Sequence, residues 1–441
     1  MLKKVIGSLF EPARARLLAN IEREASAWQA GKSAMLAAAL WREACARVPY
    51  YRALAAAANG DLPFEQVPIL SKHILRARFD DLVADGTDQA AVFKRSTGGA
   101  TGQPVTVLYD TSMRDWSLAA HDYCHRAFLG IEPYRCRVVM LWGSDLEADE
   151  RPRQLRRRLM QWASGTVCLN TYRLTDERLA QQVAVINRVR PDLVYGYAGS
   201  IWNVARFALS RGLRLHRPRA LSATAEMLQP GWRETIREAF GTPVSSYYAS
   251  REVGPIALEC REGRHHLLAF HNHVEVAAMD SPADGTPVPA AAGTEGRLLV
   301  TTLRNHAMPL VRYEIGDLGA MAPPDERCAC GSRLPVLASL AGRLGDYLRA
   351  TDGSKVKGGY FHEAFFERPW LREYQITQSG TDCVELYCVQ TAPRPEADAA
   401  AIEHHIRRAL GVDMRIVWHE VAELPRTPHG KRMFTRCLVR D

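Results

Sequence analysis

The 441-residue sequence contains no apolar run near the ~20 residues that a membrane-spanning helix needs, which excludes a helical span. No secretory leader is expected either: Met1 to Phe10 has a basic head, but its apolar part is too short for one and Glu11-Pro12 follows at once. An amphipathic helix and a cytoplasmic protein are expected. There is no internal repeat and no low-complexity tract, so solenoids and disordered linkers drop out. The ten cysteines lie scattered through a long chain, which argues against a disulfide scaffold. Cys45, Cys124, Cys136 and Cys168 stand singly among apolar or helical residues and read as small buried hydrophobes. The net charge of +8 is modest and partly local, with Arg151, Arg153, Arg156, Arg157 and Arg158 close together. That cluster reads as a solvated helix face or a contact for polyanions. No nucleic acid is expected, because no basic-aromatic stripe or binding module accompanies it.

What is present is an ordinary globular composition, 47% apolar and 24% charged, in a chain long enough for two unequal domains. Ala/Leu/Arg-rich helical pattern fills residues 12 to 60. From Arg137 to Arg211 strand-like and helical stretches alternate, which predicts mostly parallel sheet flanked by helices in a large N-terminal domain. Short strands with Gly/Pro turns between Val274 and Leu310 predict a small β subdomain, about 256–335 when the nearby cysteines are included. A charged bend flanked by glycines, Gly342 to Asp346, then ends domain 1–342. Beyond it, residues 347–441 carry a hairpin through Asp352-Gly353, a helix near Phe361 to Phe366, strands around Tyr374 to Thr377 and Cys383 to Val389, a helix over Glu396 to Leu410, and a strand at Met414 to His419. The fold class is α/β, with a small, mobile α+β C-terminal domain.

The densest signal is Lys94 to Pro104, where Ser96, Thr97, Gly98, Gly99, Thr101 and Gly102 fall between two strand-like runs, Ala91 to Phe93 and Val105 to Tyr109. Small residues in a tight loop leave main-chain N–H groups converging on one spot, an arrangement suited to phosphate. The hairpin setting and the missing lysine exclude a Walker loop, and the Rossmann fingerprint fails for the same reasons. Tyr248 and Glu252 follow a strand, as a base-stacking ring and a Mg²⁺-holding carboxylate would. Asp317 follows the turn glycine Gly316 and can accept both ribose hydroxyls. Lys431 is presented by the turn-rich Leu424 to Lys431. Cys260, His265 or His266, Cys328 and Cys330 supply three thiols and an imidazole, the ligand count of a closed structural zinc site.

Together these segments resemble the AMP-forming, adenylate-forming ligases, and within them the phenylacetate-CoA ligase and CapK-like branch. The resemblance implies ATP and Mg²⁺ as requirements, a small carboxylic acid, aromatic or other, as substrate, and coenzyme A as the second substrate. Ser222 to Glu226 then resembles the segment lining the adenine, and Arg343 the ribose or phosphate contact. Asp346 becomes the hinge between the domains, over 343–346. Lys431 lies in a close match to the family's Pro-Arg-Thr-x-x-Gly-Lys and would drive adenylation, making Lys431 and Glu252 the catalytic pair. Family relatives show a similar Cys, His and Cys-x-Cys set, which points to Cys260, His266, Cys328 and Cys330. Trp142, Tyr195 and Tyr197 are pocket candidates for the acid. Arg251 stands where the family pattern has threonine and can pair with phosphate itself, while Gln103 stands where lysine is often seen. Two alternatives stay open: the same first step with transfer to a carrier protein or an amine, and, because of these departures, a non-catalytic nucleotide-binding homologue. A homodimer is implied only at family level.

Overall fold

The computed structural model describes residues 12–60, 62–96, 105–132, 136–142, 165–171, 175–343, 347–365, 368–424 and 434–439. The chain divides into two compact units, with the change near Ala341 and Gly342. The first unit opens with helices α1 (Pro12–Ser26), α2 (Lys32–Arg47), α3 (Pro49–Ala57) and the short α4 (Lys72–Ala77). Helix α2 buries Ala37, Leu40, Trp41 and Ala44, the three-to-four spacing of one helical face. Pro49 begins α3 at the position where its missing N–H costs nothing. Strands β1 (Phe93–Ser96) and β2 (Thr106–Tyr109) pair antiparallel, so the residues flanking the Gly-rich stretch form the expected hairpin. Helix α5 (Thr111–Leu129) follows, started by Asp110, whose carboxylate accepts the Met113 N–H at 2.7 Å, and stopped by Gly130 with φ +65°.

Next come β3 (Val138–Trp142), β4 (Thr166–Asn170), α6 (Asp176–Val189), β5 (Leu193–Tyr197), α7 (Ala198–Ser210), β6 (Ala220–Thr224), α8 (Pro230–Phe240) and β7 (Val244–Ser250). The five strands are parallel, in the order β4-β3-β5-β6-β7, as the alternation predicts. Strands β8 (Gly254–Glu259), β9 (His265–Leu267), β10 (Asn272–Ala277), β11 (Gly296–Thr302), β12 (Tyr313–Met321) and β13 (Val336–Arg343) extend this sheet. They complete eleven strands in the order β10-β11-β12-β13-β9-β8-β7-β6-β5-β3-β4. The short strands expected as a small β subdomain are therefore the largely antiparallel continuation of the large sheet, entered through the β7–β8 hairpin. One core cluster packs α2, α3 and β2 against β8 and β10 to β12, with Tyr51, Leu70, Met113 and Tyr313 essentially inaccessible.

The second unit holds a hairpin of β14 (Tyr347–Arg349) and β15 (Lys355–Lys357), turning through Gly353 at φ +85°, then α9 (Gly358–Phe365). Strands β16 (Leu371–Gly380), β17 (Cys383–Gln390), β18 (Arg415–Glu420) and β19 (Thr435–Cys437) form a four-stranded sheet, ordered β18-β17-β16-β19. Helix α10 (Glu396–Leu410) contributes Ile402, Ile406 and Leu410 to the unit's own core with Phe361, Ile376 and Leu386. Among the described residues, no helix is long and apolar enough to cross a membrane. The expected N-terminal amphipathic helix and the Arg151 to Arg158 cluster lie outside them.

Candidate functional site

The end of β7, the turn into β8 and a distortion in β12 bring the first group of expected residues together. Tyr248, on β7, donates its hydroxyl to Asp317 Oδ2 at 2.7 Å. Asp317 does not sit on a surface turn: it lies inside β12, where Leu299 pairs with Glu314 but Arg297 with Leu318, so β12 carries two extra residues. Gly316 takes up the bulge at φ +84°. Glu252 follows β7 in a buried position, and its Oε1 accepts the Tyr313 hydroxyl at 3.2 Å. Burial and the Glu252 charge hold the Tyr313 phenol well above its ordinary range, so it remains a donor. Arg251 Nη1 donates to the Ser96 carbonyl at 3.0 Å, while the Tyr109 hydroxyl donates to the Arg251 carbonyl at 3.0 Å. The hairpin is thereby tied to the Tyr248–Glu252 corner from both strands. Ser96 spends its hydroxyl on Thr106 Oγ1, 3.0 Å across the hairpin.

Glu226 follows β6 and accepts the Gly199 N–H at 2.8 Å, placing a carboxylate at the first turn of α7. Trp142 and Tyr197 end β3 and β5 with ring centroids 4.4 Å apart, and Tyr195 stacks 6.0 Å from Trp142. The expected pocket residues are thus neighbours.

The second group is the sulfur cluster. Cys260, His266, Cys328 and Cys330 offer ligand atoms that all lie within 4.8 Å of one another. Cys260 Sγ and Cys328 Sγ are 3.7 Å apart, close to the ~3.8 Å edge of a tetrahedron with 2.3 Å metal–sulfur bonds. Cys330 Sγ lies 3.2 Å from His266 Nε2, and His266 Nδ1 is 3.2 Å from the Leu334 carbonyl. That contact fixes the tautomer which turns an Nε2 lone pair to the thiols. The gathered imidazole is His266; the buried His265 Nε2 has no partner and is not among the four. Burial and the neighbouring thiols push Cys330 up to about 12, a crowding that a bound cation would relieve. A cavity of about 500 Å³, lined by Tyr123, Phe128, Cys260 and Cys330, opens beside the cluster.

No protein-family model matches the chain. It is 23% identical over 383 residues to protein CapK of Staphylococcus aureus, covering 84% of this chain and 79% of that one. Over 355 residues it is 23% identical to the phenylacetate-coenzyme A ligase of Aromatoleum evansii, with coverage of 76% and 69%. A crystal structure of 2-hydroxyisobutyryl-CoA ligase in the postadenylation state shares the fold, with TM-score 0.69 at 19% identity over 94% of this chain and 91% of that one. The chain is thus similar along most of its length to proteins of the phenylacetate-CoA ligase and CapK-like branch, and it shares the fold of an AMP-forming ligase.

Several expected residues lie outside the described residues: Thr97, Gly98, Gly99, Thr101, Gly102, Gln103, Asp346 and Lys431. Arg343 ends β13. Two contributors had no role of their own in the sequence reading, although Arg312, with Tyr313 and Gly316, belongs to the Arg-Tyr-x-x-Gly-Asp match that pointed to Asp317. Arg312, at φ +51° and buried, grips Glu275 with Nε at 3.0 Å and Nη2 at 2.7 Å, and donates Nη1 to the carbonyls of Glu65 and Val67. It is a clamp for the fold beneath the site. Lys72 Nζ donates to the Ile315 carbonyl at 2.7 Å, and a Cβ at Gly316 would lie 2.9 Å from that ammonium. Lys72 therefore holds the bulge that aims Asp317. Its positive φ signals Arg312 only once coordinates exist, and nothing local distinguishes Lys72 from a solvated lysine.

If Asp317 receives the ribose, the Lys72→Met variant is expected to show a KM for ATP raised about tenfold at nearly constant kcat, because the change would loosen the bulge that aims Asp317 without touching the reacting atoms. Lys72→Arg, which keeps a donor, should restore most of the affinity, and steady-state kinetics with both variants check this.

Proposed function

We propose that this ligase couples ATP to a small carboxylic acid, with an aromatic acid as the first class to test, and then transfers the acyl group to the thiol of coenzyme A. One observation carries the reading: Tyr248 bonded to Asp317, Glu252 bonded to Tyr313, and Arg251 bonded to the entry of the Gly-rich stretch form one connected corner of the sheet. In the first step a carboxylate oxygen forms a bond to the α-phosphorus, the α–β anhydride bond breaks, and pyrophosphate leaves. In the second the thiol sulfur bonds to the acyl carbon and AMP departs. ATP supplies the activation, so no side chain need act as a covalent nucleophile.

Tyr248 provides a ring face for the adenine, and its hydroxyl fixes Asp317 for the ribose hydroxyls. The backbone of Ser222 to Glu226 borders the base, and Arg343 reaches the ribose or phosphate. Ser96, Thr97, Gly98, Gly99, Thr101 and Gly102 hold the pyrophosphate end, chiefly through N–H groups. Glu252 fits Mg²⁺, which typically takes one or two carboxylates with substrate phosphates and water and, when bound, offsets phosphate charge. Lys431 stabilises the charge that develops on the α-phosphate, and Asp346 serves as the pivot that brings the small domain to each step. Cys260, His266, Cys328 and Cys330 fit a structural Zn²⁺ by donor chemistry and spacing.

Acid-dependent ATP–pyrophosphate exchange over a panel of aromatic and short aliphatic acids, with the adenylate identified by mass, tests the first step. Thioester formation on adding coenzyme A tests the second. Exchange with at least one acid, followed by thioester, is expected. No exchange with any acid would overturn the reading, and discharge by an amine or a carrier protein but not by coenzyme A would reassign the acceptor.

A further inference from the structure

In the strand order β4-β3-β5-β6-β7, β4 pairs on the outer side of β3 and β6 on the far side of β5, so the order reverses between β3 and β5, the place where a doubly wound sheet offers a crevice at the carboxyl ends of its strands. Ligands of open α/β sheets bind at such a switch point. Trp142 and Tyr197 occupy it. Tyr195, two residues before Tyr197, shares its face of the sheet, and Ser222 of β6 lies directly across the ladder from Tyr195.

Helix α5 covers this face and presents two imidazoles one turn apart. The His121 ring lies 5.5 Å from both Tyr195 and Tyr247, and the His125 ring lies 5.7 Å from Tyr195 and 4.1 Å from His121. Arg14 fixes the helix beside them: its guanidinium grips the intervening Asp122 at 2.6 and 2.7 Å and ties α5 to α1. His121, Trp142 and Tyr195 are largely buried but each keeps a part of its surface accessible. Deeper in, His125 is 7% exposed and its Nε2 has no hydrogen-bond partner, and Ser222, fully buried, has an unpartnered Oγ. Two enclosed polar atoms without partners beside an aromatic crevice are costly unless something else meets them.

We propose that this crevice is the acyl subsite and that it selects an acid whose aromatic ring carries a hydrogen-bonding substituent, a hydroxyl or an amine, met by His125 and His121. The inference rests on the ligase reading above and adds the chemical class of the acid. Aromatic walls accept the ring face, and a neutral imidazole can either donate to or accept from the substituent. Burial and the Arg14 charge push His121 down to about 4, and burial with the His121 neighbour also holds His125 well below its ordinary value, so both are neutral near pH 7. A site built to bond a hydroxyl discriminates against the analogue that lacks it, whereas a purely apolar pocket does not.

The test compares pyrophosphate exchange with matched acids, 4-hydroxyphenylacetate against 4-methylphenylacetate and 3-hydroxybenzoate and 4-aminobenzoate against benzoate, in the wild type, His121→Phe, His125→Phe and His125→Gln. The wild type should favour a substituted acid at least about tenfold in kcat/KM. His125→Phe should abolish that preference by raising KM for the substituted acid alone. His125→Gln should retain part of it, and melting curves identify any variant that fails to fold. Equal kcat/KM for every pair in the wild type, or a preference that survives in both phenylalanine variants, overturns this inference while leaving the ligase reading standing. Absence of exchange with every acid overturns both.

Discussion

Replacing Lys431 with alanine is expected to slow acid-dependent pyrophosphate exchange by about two to three orders of magnitude while the Kd for ATP changes only a few-fold. An ammonium aimed at charge that appears during attack on the α-phosphorus contributes to the transition state far more than to the ground state. The Gly-rich stretch sharpens the expectation: the family it resembles often has a lysine where this sequence has Gln103, so under the proposed reading Lys431 acts without it. Lys431→Arg should recover only part of the rate, since a broad planar guanidinium is a poor substitute for a compact point charge. Acyl transfer from a synthetic acyl-adenylate to coenzyme A bypasses the first step and should proceed within a few-fold of wild type. Unchanged exchange in the alanine variant, measured with an acid that the wild type activates, would remove the lysine from the chemistry.

The second large effect is expected at the sulfur cluster. Cys328→Ser or Cys330→Ser should lower bound zinc from about one equivalent to near zero and depress the melting temperature by roughly 10 °C or more. Cys260 lies in the turn from β8 to β9, His266 on β9, and Cys328 and Cys330 in the stretch before β13, with Cys260 and Cys328 68 positions apart, so a metal there closes a long chain segment. The neighbouring cavity gives a chelator a path to Cys330, and prolonged chelation of the wild type should reproduce the variant's melting curve. Metal analysis with calorimetry decides it: purified protein without metal but with full stability would make the cluster four unmetallated side chains.

The hairpin around the Gly-rich stretch, the parallel alternation and helix Glu396–Leu410 were legible because each is written in local pattern: small residues between β-formers, period switching, a 15-residue apolar stripe. Pairing was not. Residues 274 to 310 read as short strands, but whether these close on each other or join an existing sheet depends on partners such as β12, which local pattern does not specify. Asp317 was found through its neighbours Arg312, Tyr313 and Gly316, yet its setting inside a bulged strand emerged only from the ladder. Arg312 shows the opposite case, a recognisable motif residue whose side chain serves the fold. Lys72 was invisible because its acceptor lies 243 positions away. The Cys and His set was legible as chemistry, and geometry chose between His265 and His266.

The bond from Arg251 to the Ser96 carbonyl has a consequence for how the chain can vary. A carbonyl is common to all twenty residue types, so this tether makes no demand on the identity of residue 96. Its whole specificity rests on the reach of residue 251, and threonine, the residue of the wider family pattern outside the CapK-like branch, is too short to span it. One departure from the family pattern thus changes the means of anchoring the hairpin and shifts the mutational burden from the loop to the strand beside it. Exchanging Arg251 for threonine in isolation would then leave this chain with neither arrangement.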